Sequence, residues 1–212
     1  MIEVRRHTPS TPWTYADLDR RQEAIHQKLR HSPDSEGAVL LSEVSPVITT
    51  GKRPCPEDLL LSAEHLKALG IDLYSCERGG RATYHGPGQW VIFVVDRLER
   101  LTGDRRGVRK AVEGLLDVAL QLGKSRDSRA EIRDGAETGV WLPEGKFASV
   151  GVKIRDGILL HGLSINGFKT SLSFQGLRPC GLDLPVSFLL DSEEKFEQLG
   201  EQLLKEIRQK FY

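Results

Sequence analysis

The stretch GVWLPEGKFASVGVKIRDGILLHGLSI, from Gly139 to Ile165, sets two turn signals, Pro143-Glu144-Gly145 and Arg155-Asp156-Gly157, between apolar runs. It predicts two successive hairpins and so an antiparallel block of sheet. With Asp156-Gly157 as a two-residue turn, strand parity puts Ala148, Val150, Val152 and Ile154 on one face, sharing it with Leu159, His161, Leu163 and Ile165 across the ladder. Lys146 continues that apolar face, whereas Lys153 falls on the other beside Arg155. An ammonium on an apolar face either lowers its pKa or finds a partner, which marks a candidate site, or it snorkels from a strand end to water. The residues alone leave both open.

Working outward, Val108, Ala111, Val112, Leu115, Leu116, Ala119 and Leu120 form one stripe of a helix over Asp104 to Leu122, before Gly123. WVIFVV, from Trp90 to Val95, is apolar on both faces and reads as a central strand covered on two sides. TYADLDRRQEAIHQKLR, Thr14 to Arg30, is amphipathic with Thr14 as its cap, and Asp191 to Tyr212 closes the chain as a second amphipathic helix. Between them GAVLLSEV and SPVITTG read as two strands or as a strand and its extension, and a short helix near Asp58 to Leu69 stops at Gly70. Without an internal repeat or low-complexity linker, the expectation is a single α+β domain over residues 1–212, with a mixed, mostly antiparallel sheet flanked by helices.

Thirty basic and thirty acidic residues give a formal net charge of zero, so no global field draws the chain to nucleic acid or an anionic membrane. The N-terminus lacks an apolar signal region and WVIFVV is too short to span a bilayer; a soluble, cytoplasmic protein is expected. Cys55, Cys76 and Cys180 are odd in number and widely spaced, which argues against a disulfide framework and against a zinc site.

Several motifs are absent. Gly86 and Gly88 lack the third glycine of a dinucleotide fingerprint. Gly139 and Gly145 are separated by five residues where a phosphate-binding loop needs four, and Phe147 stands where Ser or Thr should follow the lysine. GxSxG does not occur, so a serine nucleophile is not indicated. What remains is ERGGRATYHGPGQW, Glu77 to Trp90, whose Arg78, Arg81, Tyr84 and His85 sit among backbone left bare by glycine, as close approach to a ligand requires. His161 in HGLSIN reads either as a satisfied core histidine or as a partner for a cysteine. Cys180 in LRPCGL lies between a residue that fixes φ and one that admits φ > 0, which suits a shaped turn; a small apolar loop closure is the other reading.

Taken in order, RGGRATYHGPGQ, GVW with KFASVGVKI, HGLSIN and LRPCGL resemble the lipoyl(octanoyl) transferase family, over roughly Gly37 to Val186. The resemblance implies the fold of the biotin and lipoate protein ligase catalytic domain. It also implies octanoyl transfer from octanoyl-acyl carrier protein to a lysine of the lipoyl domains of 2-oxoacid dehydrogenases or of the glycine cleavage H protein. No cofactor, metal, nucleic acid or membrane enters. It makes Cys180 the thioester nucleophile and Lys146 its dyad partner. It assigns the substrate pocket to Arg78, Gly79, Gly80, Arg81, Ala82, Thr83, Tyr84 and His85, to Ser149, Val150 and Gly151, and to His161, Gly162, Leu163 and Ser164. Two positions depart from the family pattern: Val44 stands where histidine is usual and Arg81 where glutamine is frequent. The alternative within the superfamily is an ATP-dependent lipoate or biotin protein ligase, or an amidotransferase between lipoyl domains.

On this reading Lys146 acts chiefly by moving protons. Lowering a thiol pKa from about 8.5 to about 7 raises the thiolate fraction roughly 15-fold, and weaker nucleophilicity returns about a factor of five. A positioned base is worth about 10² to 10⁴. Lys52, Arg53, Arg78 and Arg81 are the candidate docking cations for an acidic carrier protein.

Overall fold

The computed structural model describes residues 1–32, 34–52, 55–177 and 185–212; Arg53 and Cys180 lie outside the described residues. Asp156 and Gly157, with φ of 53° and 72°, make the two-residue turn the sequence predicts and join β9 (Gly145–Arg155) to β10 (Ile158–Asn166). The register is the expected one, with Leu159 opposite Ile154, Leu163 opposite Val150 and Ile165 opposite Ala148. The second predicted hairpin pairs β8 (Gly139–Leu142) with β9.

These strands are the right half of a seven-stranded sheet ordered β1-β2-β6-β10-β9-β8-β7, which adds β1 (Ile2–Arg6), β2 (Ala38–Glu43), β6 (Gln89–Arg97) and β7 (Glu131–Arg133). Only β1 and β2 run parallel; the other neighbours are antiparallel. Central β6 is the WVIFVV strand, buried along all but its last residue, as a strand covered on both faces must be.

Each face carries its own apolar layer. On one, Val39, Leu41, Ile92, Val94, Leu159 and Leu163 pack against α3 (Leu98–Thr102), α4 (Val108–Arg126) and α5 (Phe196–Phe211). On the other, Leu40, Val91, Phe93, Val95 and Leu160 meet Tyr15, Leu18, Ile25 and Leu29 of α1 (Tyr15–His31). Thr14 caps α1 in a full capping box with Asp17. Beside α1 lies a three-stranded sheet ordered β4-β3-β5, made of β3 (Val47–Thr50), β4 (Asp72–Ser75) and β5 (Thr83–His85), with α2 (Ala63–Ala68) contributing Leu66 to its core. Among the described residues no helix is long and apolar enough to cross a membrane.

Candidate active site

The glycine-rich loop and the outer edge of β9 meet around a cavity of about 590 Å³, within the usual range for small-molecule sites. Past Ala148 strand β8 no longer pairs with β9, and the amide of Gly79 takes the Val152 carbonyl instead, at 3.0 Å. The loop is thereby fastened to the strand that carries Ser149, Val150 and Gly151.

Arg78 shapes that loop from inside. It is 7% exposed and donates to Thr49 O (2.9 Å), Thr49 Oγ1 (2.7 and 3.3 Å), Gly79 O (3.0 Å) and Arg81 O (2.9 Å). All donor directions of the guanidinium are therefore occupied by the protein's own oxygens. Arg81 is held as a two-pronged pair on the fully buried carboxylate of Asp58, Nη2 to Oδ1 at 2.5 Å and Nε to Oδ2 at 3.1 Å. Neither is a free docking cation: of the four expected, Arg78 is buried, Arg81 is neutralised, Arg53 lies outside the described residues, and Lys52 is exposed.

Along β5 the alternation of a strand sorts the pocket residues. Thr83 and His85 face the cavity, whereas Tyr84 and its neighbour Ala82 point the other way into the Ile48, Leu66 and Ile71 core. Ala82 and Tyr84 are corrected accordingly: they support the pocket and do not line it. The remaining expected pocket residues, Arg78 to Arg81, Ser149, Val150, Gly151 and His161 to Ser164, do line it, and Lys146 reaches the same space.

Lys146 sits on the opposite face from the one parity assigned. Val140 pairs with Ala148, but Trp141 pairs with Lys146, so one step along β8 matches two along β9 and Phe147 is the extra residue. Such a bulge reverses the faces of everything beyond it. Val140, Phe147 and Ala148 stay in the α4 core, and Lys146 goes with Trp141. Its Nζ lies 5.9 Å from the indole centroid and donates to the Thr138 carbonyl at 2.7 Å. Gly139 makes the room: a Cβ there would stand 2.2 Å from Lys146 Cε.

His161 departs from parity for a different reason. Its φ is +61°, so its ring leaves the face of Leu159 and Leu163 and turns to the α1 side. There it meets Phe93 edge-on at 5.0 Å, and Gln22 Oε1 accepts from the His161 amide at 2.7 Å. His85 stacks on Tyr15 with centroids 5.3 Å apart. Burial first, then the nearby Arg78 charge, push His85 down to about 3, and burial pushes His161 down to about 4. Both imidazoles are neutral at physiological pH. Lys153, on the expected outer face, pairs with Glu77, and burial followed by Arg155 lowers its pKa.

Tyr15, Val91, Phe93, Val112, Gly135, Ala136, Thr138 and Val152 also line the cavity and were missed. Val112 belongs to the apolar stripe of its helix, and Val91 and Phe93 to the WVIFVV strand; Gly135 and Ala136 carry no signal in the sequence. Cys180 cannot be placed against these groups, being outside the described residues. The chain that follows it can: Lys146 N donates to Pro185 O at 2.9 Å, and Ser187 N donates to Lys146 O at 3.0 Å. Pro185 to Ser187 thus lie zipped to the main chain of the lysine.

Residues 15–206 match the lipoyl protein ligase A/B catalytic domain. An octanoyltransferase of Magnetococcus marinus is 37% identical over 84% of this chain and 78% of its own length, and one of Dechloromonas aromatica is 34% identical over 89% of each. The crystal structure of lipoate-protein ligase A bound with ATP superposes with a TM-score of 0.69, covering 99% of this chain and 83% of that one at 11% identity, which is a likeness of fold.

Proposed function

The chain belongs to the lipoyl protein ligase A/B catalytic-domain family, and from that premise we propose that residues 1–212 act as one octanoyltransferase domain. It takes an octanoyl group from an acyl carrier protein and passes it to a lysine of a lipoyl domain, of a 2-oxoacid dehydrogenase or of the glycine cleavage H protein, through a thioester on Cys180. The observation that carries this is the delivery of Lys146 into the cavity walled by the Arg78 to Arg81 loop, the β9 edge and β10, in a chain whose relatives are octanoyltransferases. The zipping of Pro185, five positions after Cys180, to the Lys146 main chain supports the dyad. A cytoplasmic location goes with this reading.

In the first step Lys146 takes the Cys180 proton, the thiolate attacks the octanoyl carbonyl, and the bond to the carrier sulfur breaks as Lys146 returns the proton to it. In the second the lipoyl lysine attacks, Lys146 removes a proton from the incoming nitrogen, and the Cys180 sulfur leaves as the amide forms. Exchange between thioesters is nearly isoenergetic and amide formation runs downhill, so no nucleotide is needed. Because Ser149 to Val152 line the cavity, we place the oxyanion donor on the β9 edge. Successive amides of a strand point to opposite sides. Since the Val152 carbonyl faces out to Gly79, the Val150 amide faces out with it and Gly151 turns toward β10. Val150 N–H is therefore a better candidate than the Gly151 amide.

Intact mass spectrometry of the purified chain with octanoyl carrier protein tests the reading. One octanoyl group added to the wild type and none to Cys180→Ala, without ATP, is the expected result. Labelling of Cys180→Ala, or transfer that needs ATP and free acid, overturns it.

A further inference from the structure

A row of buried side chains fixes which nitrogen of His85 carries its proton. Asn166, at the end of β10 and 5% exposed, places its Nδ2 against two backbone carbonyls, Ser187 O at 3.1 Å and Lys146 O at 3.4 Å. Carbonyls only accept, so the amide nitrogen must face them and Oδ1 must face Gln89. Gln89 Nε2 donates to that Oδ1 at 2.8 Å and to a third carbonyl, Tyr84 O, at 3.2 Å. The two carboxamides are thus oriented by separate backbone anchors, and Gln89 Oε1 is left to accept from His85 Nδ1 at 2.6 Å. His85 is the Nδ1–H tautomer, and its Nε2 carries a bare lone pair.

The ring is 5% exposed, its plane is set by the stack on Tyr15, and it lines the cavity. Among the described residues Nε2 has no hydrogen-bond partner, although it is not sealed from the cavity. A neutral ring nitrogen in such a place is an acceptor waiting for a donor. An octanoyl thioester has no N–H at its carbonyl; an amine that attacks it does, and so does the amide of a pantetheine arm.

We propose that His85 Nε2 accepts a hydrogen bond from an N–H of the substrate's head group, and that Gln89 and Asn166 are positioning residues that hold this tautomer and tie it to the Lys146 main chain. The inference rests on the octanoyl-transfer reading and adds a polar subsite to it.

Nitrogen NMR of the full chain labelled in histidine reads the tautomer directly. The Nδ1–H pattern for His85 is expected, and an Nε2–H or doubly protonated pattern at pH 7 overturns the proposal. Binding of N-methyloctanamide and N,N-dimethyloctanamide, which differ in one N–H, then tests the subsite. The first should bind about tenfold more tightly, the scale of one hydrogen bond, and His85→Phe should abolish the difference while keeping the weaker affinity. A second pair, octanoyl-N-acetylcysteamine and its N-methylated analogue, stands for the pantetheine arm; preference in the first pair assigns the donor to the attacking amine, and in the second to the carrier. No preference in either pair, or one that survives in His85→Phe, overturns the proposal. Gln89→Leu, which leaves the cavity side of His85 in place, should lose the preference and the Nδ1–H pattern together. A chain that is acylated on Cys180 but shows no N–H preference loses only this inference, whereas one that is not acylated at all loses the reading beneath it.

Discussion

Lys146 and Trp141 stand opposite each other across β9 and β8, with the ammonium 5.9 Å from the indole centroid, because Phe147 is inserted as an extra residue between Lys146 and Ala148. The bulge carries the lysine away from the α4 core to the face where Thr138 accepts its proton-bearing end. The stem crosses Gly139 on the way.

Gly139→Ala is therefore expected to damage activity and stability together. Its Cβ would meet Lys146 Cε at 2.2 Å and the Ala148 carbonyl at 2.4 Å, and φ at this position is +153°. The backbone oxygen cannot be moved cheaply, so a loss of about 1–3 kcal/mol is expected. Urea unfolding and single-turnover acyl transfer read the two effects; an unchanged transfer rate would show that the lysine does not need this path.

Lys146→Met keeps the length of the stem and removes the proton carrier. The transfer rate should fall about 10²- to 10⁴-fold with little change in melting temperature. A drop of only a few-fold would reduce Lys146 to a charge partner of the thiol.

Arg78→Lys is expected to fail as a conservative change. An ammonium has three donors where the guanidinium uses five on four oxygens, Thr49 O, Thr49 Oγ1, Gly79 O and Arg81 O, so at least one of these acceptors loses its donor. A loss of about 2 kcal/mol or more is expected, and the Michaelis constant for the acyl donor should rise because the loop is no longer fastened from within. Loss of carrier affinity with unchanged stability would instead mark Arg78 as a docking residue.

Acid should weaken the fold through its histidines. His85 and His161 are held at about 3 and about 4, below the ordinary value, so between those values and about 6.5 the unfolded chain binds protons that the folded one does not. Stability therefore falls as pH falls through this window, by roughly 1 kcal/mol per pH unit for each histidine near pH 5. The full contribution is present above about pH 6.5. Urea midpoints taken from pH 7 to pH 5 should drop faster in the wild type than in His161→Phe; parallel curves would show that His161 is not kept neutral.

What the sequence disclosed and what it withheld divide along a physical line. Asp156-Gly157 announced its turn because the type I′ hairpin turn it forms needs positive φ at both positions, which Asp-Gly tolerates. Thr14 announced α1 because an exposed amide needs a cap. Lys146 was read onto the wrong face because a one-residue bulge leaves no mark in composition, and every residue beyond it inverts. His161 was read onto the wrong face because histidine at φ +61° looks no different in a sequence from histidine in a plain strand. Strand β1 and helix α3 went unread, since IEVRR alternates too briefly and LERLT makes little more than one turn. The pocket residues came from resemblance, and the alternation of β5 then separated Thr83 and His85 from Tyr84.

The zipper between residues 145–147 and 185–187 is made of backbone atoms at nearly every stitch. Exchange of one side chain for another at Val186 should therefore drift almost freely among relatives, while adding or removing a residue there would pull Ser187 out of step with Lys146. At this seam it is length, and hardly chemistry, that descent must preserve.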